Sequence, residues 1–166
     1  MNCLKTLAAL AVAFTAVSAS AAAPVFVGSW TVDQGPSWDG DPTAYTGQAA
    51  AALLFGGSAS DYVISTVDNS AADINGLAWV STWGGAATCT GFPCGTQVAD
   101  NFVQTEDGNY TNYGDTSAYV SDWAIGSQFT NYAFKVSAVP EPTNVVLMLA
   151  GLAAVGTAAR RRNQAR

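Results

Sequence analysis

Apolar residues are spread along this chain in two different ways, and the difference divides it. Residues 7–17 and 145–159 are almost unbroken apolar runs, whereas the stretch between them alternates short apolar segments with clusters of Gly, Asn, Asp and Ser. That alternation, in segments rich in β-branched and aromatic residues, is the pattern of an antiparallel β protein. Strands are predicted over residues 25–32, 62–66, 76–82, 97–104, 117–123 and 129–136. One segment breaks the pattern. Residues 46–55 read Thr-Gly-Gln-Ala-Ala-Ala-Ala-Leu-Leu-Phe and stop at Gly56-Gly57. An N-cap Thr, strong helix formers and a glycine stop predict a short helix packed on one edge of the sheets. The expected fold is mainly β: an antiparallel β-sandwich-like single domain with one short helix, flanked by an N-terminal signal helix and a C-terminal transmembrane helix. No repeat at solenoid or propeller spacing is visible.

The two apolar runs differ in their flanks. At the first, Lys5 supplies positive charge, residues 7–17 form the apolar stretch, and Ala19-Ser20-Ala21 offers small residues for cleavage. This is the build of a secretory signal peptide. Cleavage is expected after Ala21, because a cut after Ala23 would leave Pro24 at the new N-terminus. The second run has 15 residues. As a helix it would extend roughly 22 Å against a hydrocarbon core of about 30 Å. Starting from Pro142 and letting Arg160, Arg161 and Arg162 snorkel brings it close to a span, with the basic end held in the cytoplasm. The expected organisation is therefore residues 1–21 signal peptide, 22–138 exported domain and 139–166 C-terminal signal.

The C-terminal order is specific: Val139-Pro140-Glu141-Pro142, a polar step at Thr143-Asn144, the apolar run, then Arg160-Arg161-Arg162. It resembles the sorting signal of PEP-CTERM proteins, which are exported by Gram-negative bacteria. The resemblance implies that an exosortase, a membrane-embedded cysteine transpeptidase, recognises the tail and cleaves near Pro-Glu-Pro. It further implies general secretion machinery as a partner, a membrane-anchored intermediate held by the C-terminal helix, and a cell-surface or extracellular destination. Gly35-Pro36-Ser37-Trp38, residues 45–57, the Trp79 to Trp83 segment and residues 130–135 look like blocks of other PEP-CTERM ectodomains of unassigned activity.

Between the ends, eleven carboxylates face one base, Lys135, so residues 22–138 carry −10 where the whole chain carries −6. Such a surface repels nucleic acid and anionic membrane faces, which Lys and Arg would have to bind. Polycations, divalent metals and neutral sugars stay open as partners, and the charge also keeps an exported domain soluble. Cys89 and Cys94 are the cysteines left after signal removal. In an oxidising compartment they are expected to pair, closing a short loop that adds roughly 2 kcal/mol by restricting the unfolded chain.

No reaction is named by these residues. The chain has no histidine, the usual general base for Ser or Cys nucleophiles, and no motif replaces it, so no catalytic residue is assigned. Two carboxylates could serve glycoside hydrolysis, but Glu106-Asp107-Gly-Asn reads more simply as a polar turn. Asp39-Gly-Asp41, Asp68-Asn69, Asp73-Ile-Asn75 and Asp107-Gly-Asn109 offer oxygen ligands. None completes a known calcium loop, so no metal ligand is assigned and structural calcium is the one cofactor left open. Five tryptophans lie at 30, 38, 79, 83 and 123. Trp79 with Trp83, and Tyr119 with Trp123, share strand faces and are expected mostly in the core, while Trp38 beside Asp39 is the expected exposed ligand platform. Three readings follow: an exported structural protein of the surface or biofilm matrix without catalysis; a module binding extracellular polysaccharide through Trp38; and, last, a glycosidase.

Overall fold

The structure is a computed structural model that describes residues 22–85, 93–136, 149–155 and 160. The chain divides into Ala21–Ala138 and a unit of the two ends, Met1–Ser20 with Val139–Arg166.

Six strands build the first unit: β1 (Val25–Thr31), β2 (Tyr62–Ser65), β3 (Leu77–Thr82), β4 (Thr96–Ala99), β5 (Thr116–Ser117) and β6 (Thr130–Lys135). They form two three-stranded antiparallel sheets, ordered β1-β6-β2 and β4-β3-β5. The fold is mainly β, as the alternation predicts. In the first sheet the last strand lies between the first two, with Val25 opposite Lys135 and Tyr62 opposite the same residue. A bulge between Phe26 and Gly28 interrupts the β1–β6 register.

The helix α1 (Gly47–Phe55) starts where the capping argument puts it: the Thr46 hydroxyl accepts the Ala49 N–H at 2.9 Å, and Gly56 follows with φ 80°. It touches β2, β3 and β6, which come from both sheets, so it does not sit on one edge alone. Small residues make this approach close. Ala50, Ala51, Ala78, Ala118 and Ala133 are buried in one core with Trp30, Tyr62, Ile64 and Val80. A methyl on Gly47 would come within 2.6 Å of Ala78 Cβ.

Two predicted strands are shorter than expected. The fourth stops at Ala99, because Asp100 turns the chain and its carboxylate accepts the Ile64 N–H of β2 at 3.1 Å. The fifth, expected over residues 117–123, pairs only at Thr116–Ser117. Beyond it the backbone donors go to loops: Ala118 to Tyr45 O, Val120 to Val32 O and Ser121 to Pro36 O. The loop after β1 can lie this close because residue 35 is glycine; a Cβ there would be 2.3 Å from the Tyr119 carbonyl carbon.

Candidate functional site

Trp38 begins a one-turn 3-10 segment, Trp38–Gly40, that ends at Asp41 in the left-handed region with φ 49°. The Trp38 N–H donates to the Ser121 carbonyl at 3.2 Å, so the turn is fastened to the segment leaving β5. Its side chain is 44% exposed, as expected of a loop tryptophan. Trp83 arrives from the other direction. It follows the end of β3, donating its N–H to Asp115 O at 2.8 Å and accepting from Gly114 N–H at 3.0 Å. The two indoles meet edge to face, with centroids 6.3 Å apart and planes at 74°. Next to them the exposed ring of Tyr113 covers Gly84, whose φ of 68° and lack of a side chain allow that contact.

Beneath this corner lies a buried polar cluster. Tyr110 is fully buried, and its hydroxyl donates to Asp122 Oδ2 at 2.7 Å and lies 3.4 Å from Ser81 Oγ. Burial pushes the Tyr110 hydroxyl far above its ordinary value, and the neighbouring Asp122 and Asp115 charges push the same way. Burial also raises the Asp122 carboxyl, against the opposite pull of the Tyr110 hydrogen bond. The other Asp122 oxygen, Oδ1, has no hydrogen bond among the described residues, and the residue is half-buried. Asp115 is tied down: its Oδ2 accepts the N–H of Thr111 at 3.0 Å and of Asn112 at 2.6 Å.

Ordinary core and turn chemistry accounts for many of the remaining candidates. Trp30 is buried with its indole N–H on the Ala118 carbonyl at 2.9 Å. Trp79 packs edge to face on Phe129 at 5.1 Å. Tyr119 meets Tyr45 at 6.4 Å, whereas Trp123 is 43% exposed instead of sharing that packing, because the predicted strand ends before it. Asp68 accepts the Ser70 N–H, Asn75 those of Thr66 and Leu77, and Asp107 that of Asn109, all as turn closures. Among the described residues no three His, Cys, Asp or Glu side chains gather as a metal-holding group. The Tyr110, Asp122 and Ser81 cluster was not legible in the sequence: its members stand far apart and carry no motif.

The sorting features fall mostly elsewhere. Ala19, Ala21, Cys89, Val139, Pro140, Glu141, Pro142, Arg161 and Arg162 lie outside the described residues. Cys94 is buried and is not a free thiol. Residues 149–155 are helical, as is the exposed Arg160. Among the described residues no helix is long and apolar enough to cross a membrane. Residues 138–162 match the family model of the PEP-CTERM protein-sorting motif. This chain carries a PEP-CTERM sorting signal. The PEP-CTERM match begins at the last residue of the β-rich unit, one residue before the stretch that the motif order singled out, and ends with it at the last of the three arginines. It implies export and exosortase sorting to the cell envelope or surface. No curated protein and no solved structure is significantly similar to the chain.

Proposed function

We propose that this PEP-CTERM protein is a non-catalytic structural component of the cell surface or extracellular matrix of a Gram-negative bacterium. A signal peptide ending at Ala21 delivers it, the apolar run 145–159 anchors it transiently, and an exosortase cleaves near Pro140-Glu141-Pro142. The observation that carries the reading is the sorting motif at residues 138–162. The absence of histidine and the use of Asp100, Asp107 and Asp115 as hydrogen-bond acceptors for the backbone support a structural over a catalytic role. The oxidising destination supports a Cys89–Cys94 disulfide. Intact-mass spectrometry of the surface or secreted species tests this, with and without reduction and alkylation. The expected species starts at Ala22, ends near Pro142 and takes up alkylating agent only after reduction. A mature protein still ending at Arg166 would contradict the processing.

A second reading, a polysaccharide-binding module, is favoured by one specific observation: Trp38 is exposed and meets a second indole, Trp83.

A further inference from the structure

The side of β3 turned away from the main core leads, through the turn that follows it, to the exposed Trp38. Ala78 and Val80 point into the core between the sheets, so Trp79 and Ser81 take the opposite side, and Trp83 follows in the turn after the strand. Trp79 packs on Phe129, Ser81 lies against the Tyr110 hydroxyl, and Trp83 meets Trp38 at a steep angle. Trp38 stays exposed.

That opening has a polar neighbour held in place from below. The Tyr110 hydroxyl lies against both Ser81, two residues before Trp83, and Asp122, the residue after the one that fastens Trp38. One buried phenol therefore ties the strand that leads to Trp83 to the segment on which Trp38 is fastened. It bonds Oδ2 of the half-buried Asp122, whose Oδ1 has no hydrogen bond among the described residues. The result is an exposed aromatic corner anchored on Ser121, one residue in sequence from a carboxylate held by a part-buried hydrogen bond.

We propose that Trp38, Trp83 and Asp122 form a binding site for a neutral sugar unit of a polysaccharide, with a pyranose face on the indoles and a ring hydroxyl donating to Asp122 Oδ1. The site rests on the polysaccharide-binding reading given above. A pyranose presents CH groups on its face and hydroxyls at its rim, which matches ring surface flanked by a fixed acceptor. A domain carrying eleven carboxylates and one lysine repels an anionic chain, which rules out acidic polysaccharides as the ligand.

The test is isothermal titration of the purified full chain with dextran, glucomannan and xylan, with alginate as the anionic control and tetramethylammonium as a cationic one. Binding to at least one neutral polysaccharide and none to alginate is expected. Trp38→Ala and Asp122→Asn should each weaken it at least about tenfold, the size of one lost stacking or hydrogen-bonding contact. Trp38→Phe, which keeps a ring, should retain most of it, and Leu53→Ala, at an exposed position on α1, should leave it within about threefold. Wild-type protein that binds none of the neutral polysaccharides overturns both the site and the polysaccharide reading. Binding that survives Trp38→Ala and Asp122→Asn, in variants with wild-type melting, overturns the site and leaves the reading standing. Capture of tetramethylammonium alone would assign the corner to a cation and overturn the sugar.

Discussion

The side-chain amide of Asn131 stands in for a strand: its Oδ1 accepts the Trp79 N–H at 2.7 Å and its Nδ2 donates to the Trp79 carbonyl at 3.0 Å. Asn131 belongs to β6 and is fully buried; Trp79 belongs to β3 in the other sheet. On that edge of β3, strand β5 pairs only with Ser81 and Thr82. The amide supplies the ladder where the strand is missing, and so joins the two sheets across their shared core.

Asn131→Ala would leave a buried N–H and a buried C=O without partners, each costly because water cannot replace the bond. We expect a loss of about 3 kcal/mol and a fall in melting temperature of roughly 10 °C or more. Asn131→Asp should also destabilise, since it replaces the donor to the Trp79 carbonyl with an oxygen. Thermal unfolding followed by circular dichroism reads both. A melting temperature for Asn131→Ala within 2–3 °C of wild type, on the order of experimental scatter for a small domain, would show that the amide bridge is dispensable.

Gly47 reverses the usual expectation for a helix. Replacing a helical glycine by alanine ordinarily favours the helix by about 1 kcal/mol. Here the added methyl would fall 2.6 Å from Ala78 Cβ and 3.2 Å from Asp100 O, groups fixed to backbone. Gly47→Ala is therefore expected to destabilise by about 2 kcal/mol, the cost of overpacking. Gly40→Ala, where a Cβ meets nothing within 4 Å, should change stability by less than about 0.5 kcal/mol. Equal stability of the two variants in urea unfolding would sink the argument.

Acid should stabilise the domain over part of the pH range. Burial raises the Asp100 carboxyl above its ordinary value, opposed by hydrogen bonds from Ile64, Gln48 and Asn101, and Asp122 is raised in the same direction. Between the unfolded carboxylate pKa of about 4 and the raised native values, the folded state holds more protons than the unfolded one. Stability from these groups is fully present below that window and is lost as pH rises through it. Relief of mutual repulsion among the eleven carboxylates acts in the same sense. Melting temperature is thus expected to rise on going from pH 7 towards pH 5, with a shallower rise in Asp100→Asn, which keeps an oxygen for the Ile64 N–H. A monotonic fall over that range would refute the assignment.

Local signals were legible where a residue acts on its own neighbours. Thr46 could be read as an N-cap because the hydroxyl bonds an N–H three residues away. Strands β1, β2, β3 and β6 were readable from β-branched and aromatic runs. The ends of β4 and β5 were not, since they are decided by Asp100 bonding Ile64 and by Gly35 admitting Tyr119, both contacts between distant residues. Trp38 was readable as exposed from its polar neighbours, while its partner Trp83 was expected in the core; only the turn at the end of β3 brings it out to meet Trp38.

The sequence by itself determined the sorting motif, because a Pro-Glu-Pro step, an apolar run and an arginine cluster are a linear order that a recognising enzyme reads along the chain. It also determined the β character, the helix and the acidic balance, which follow from composition and short-range pattern. Tertiary structure alone decided that Asn131 completes a ladder in the opposite sheet, that Tyr110 orients Asp122, and that two tryptophans far apart in sequence form one corner. These are long-range contacts, whose partners are chosen by how the two sheets and α1 pack and not by anything adjacent in the chain.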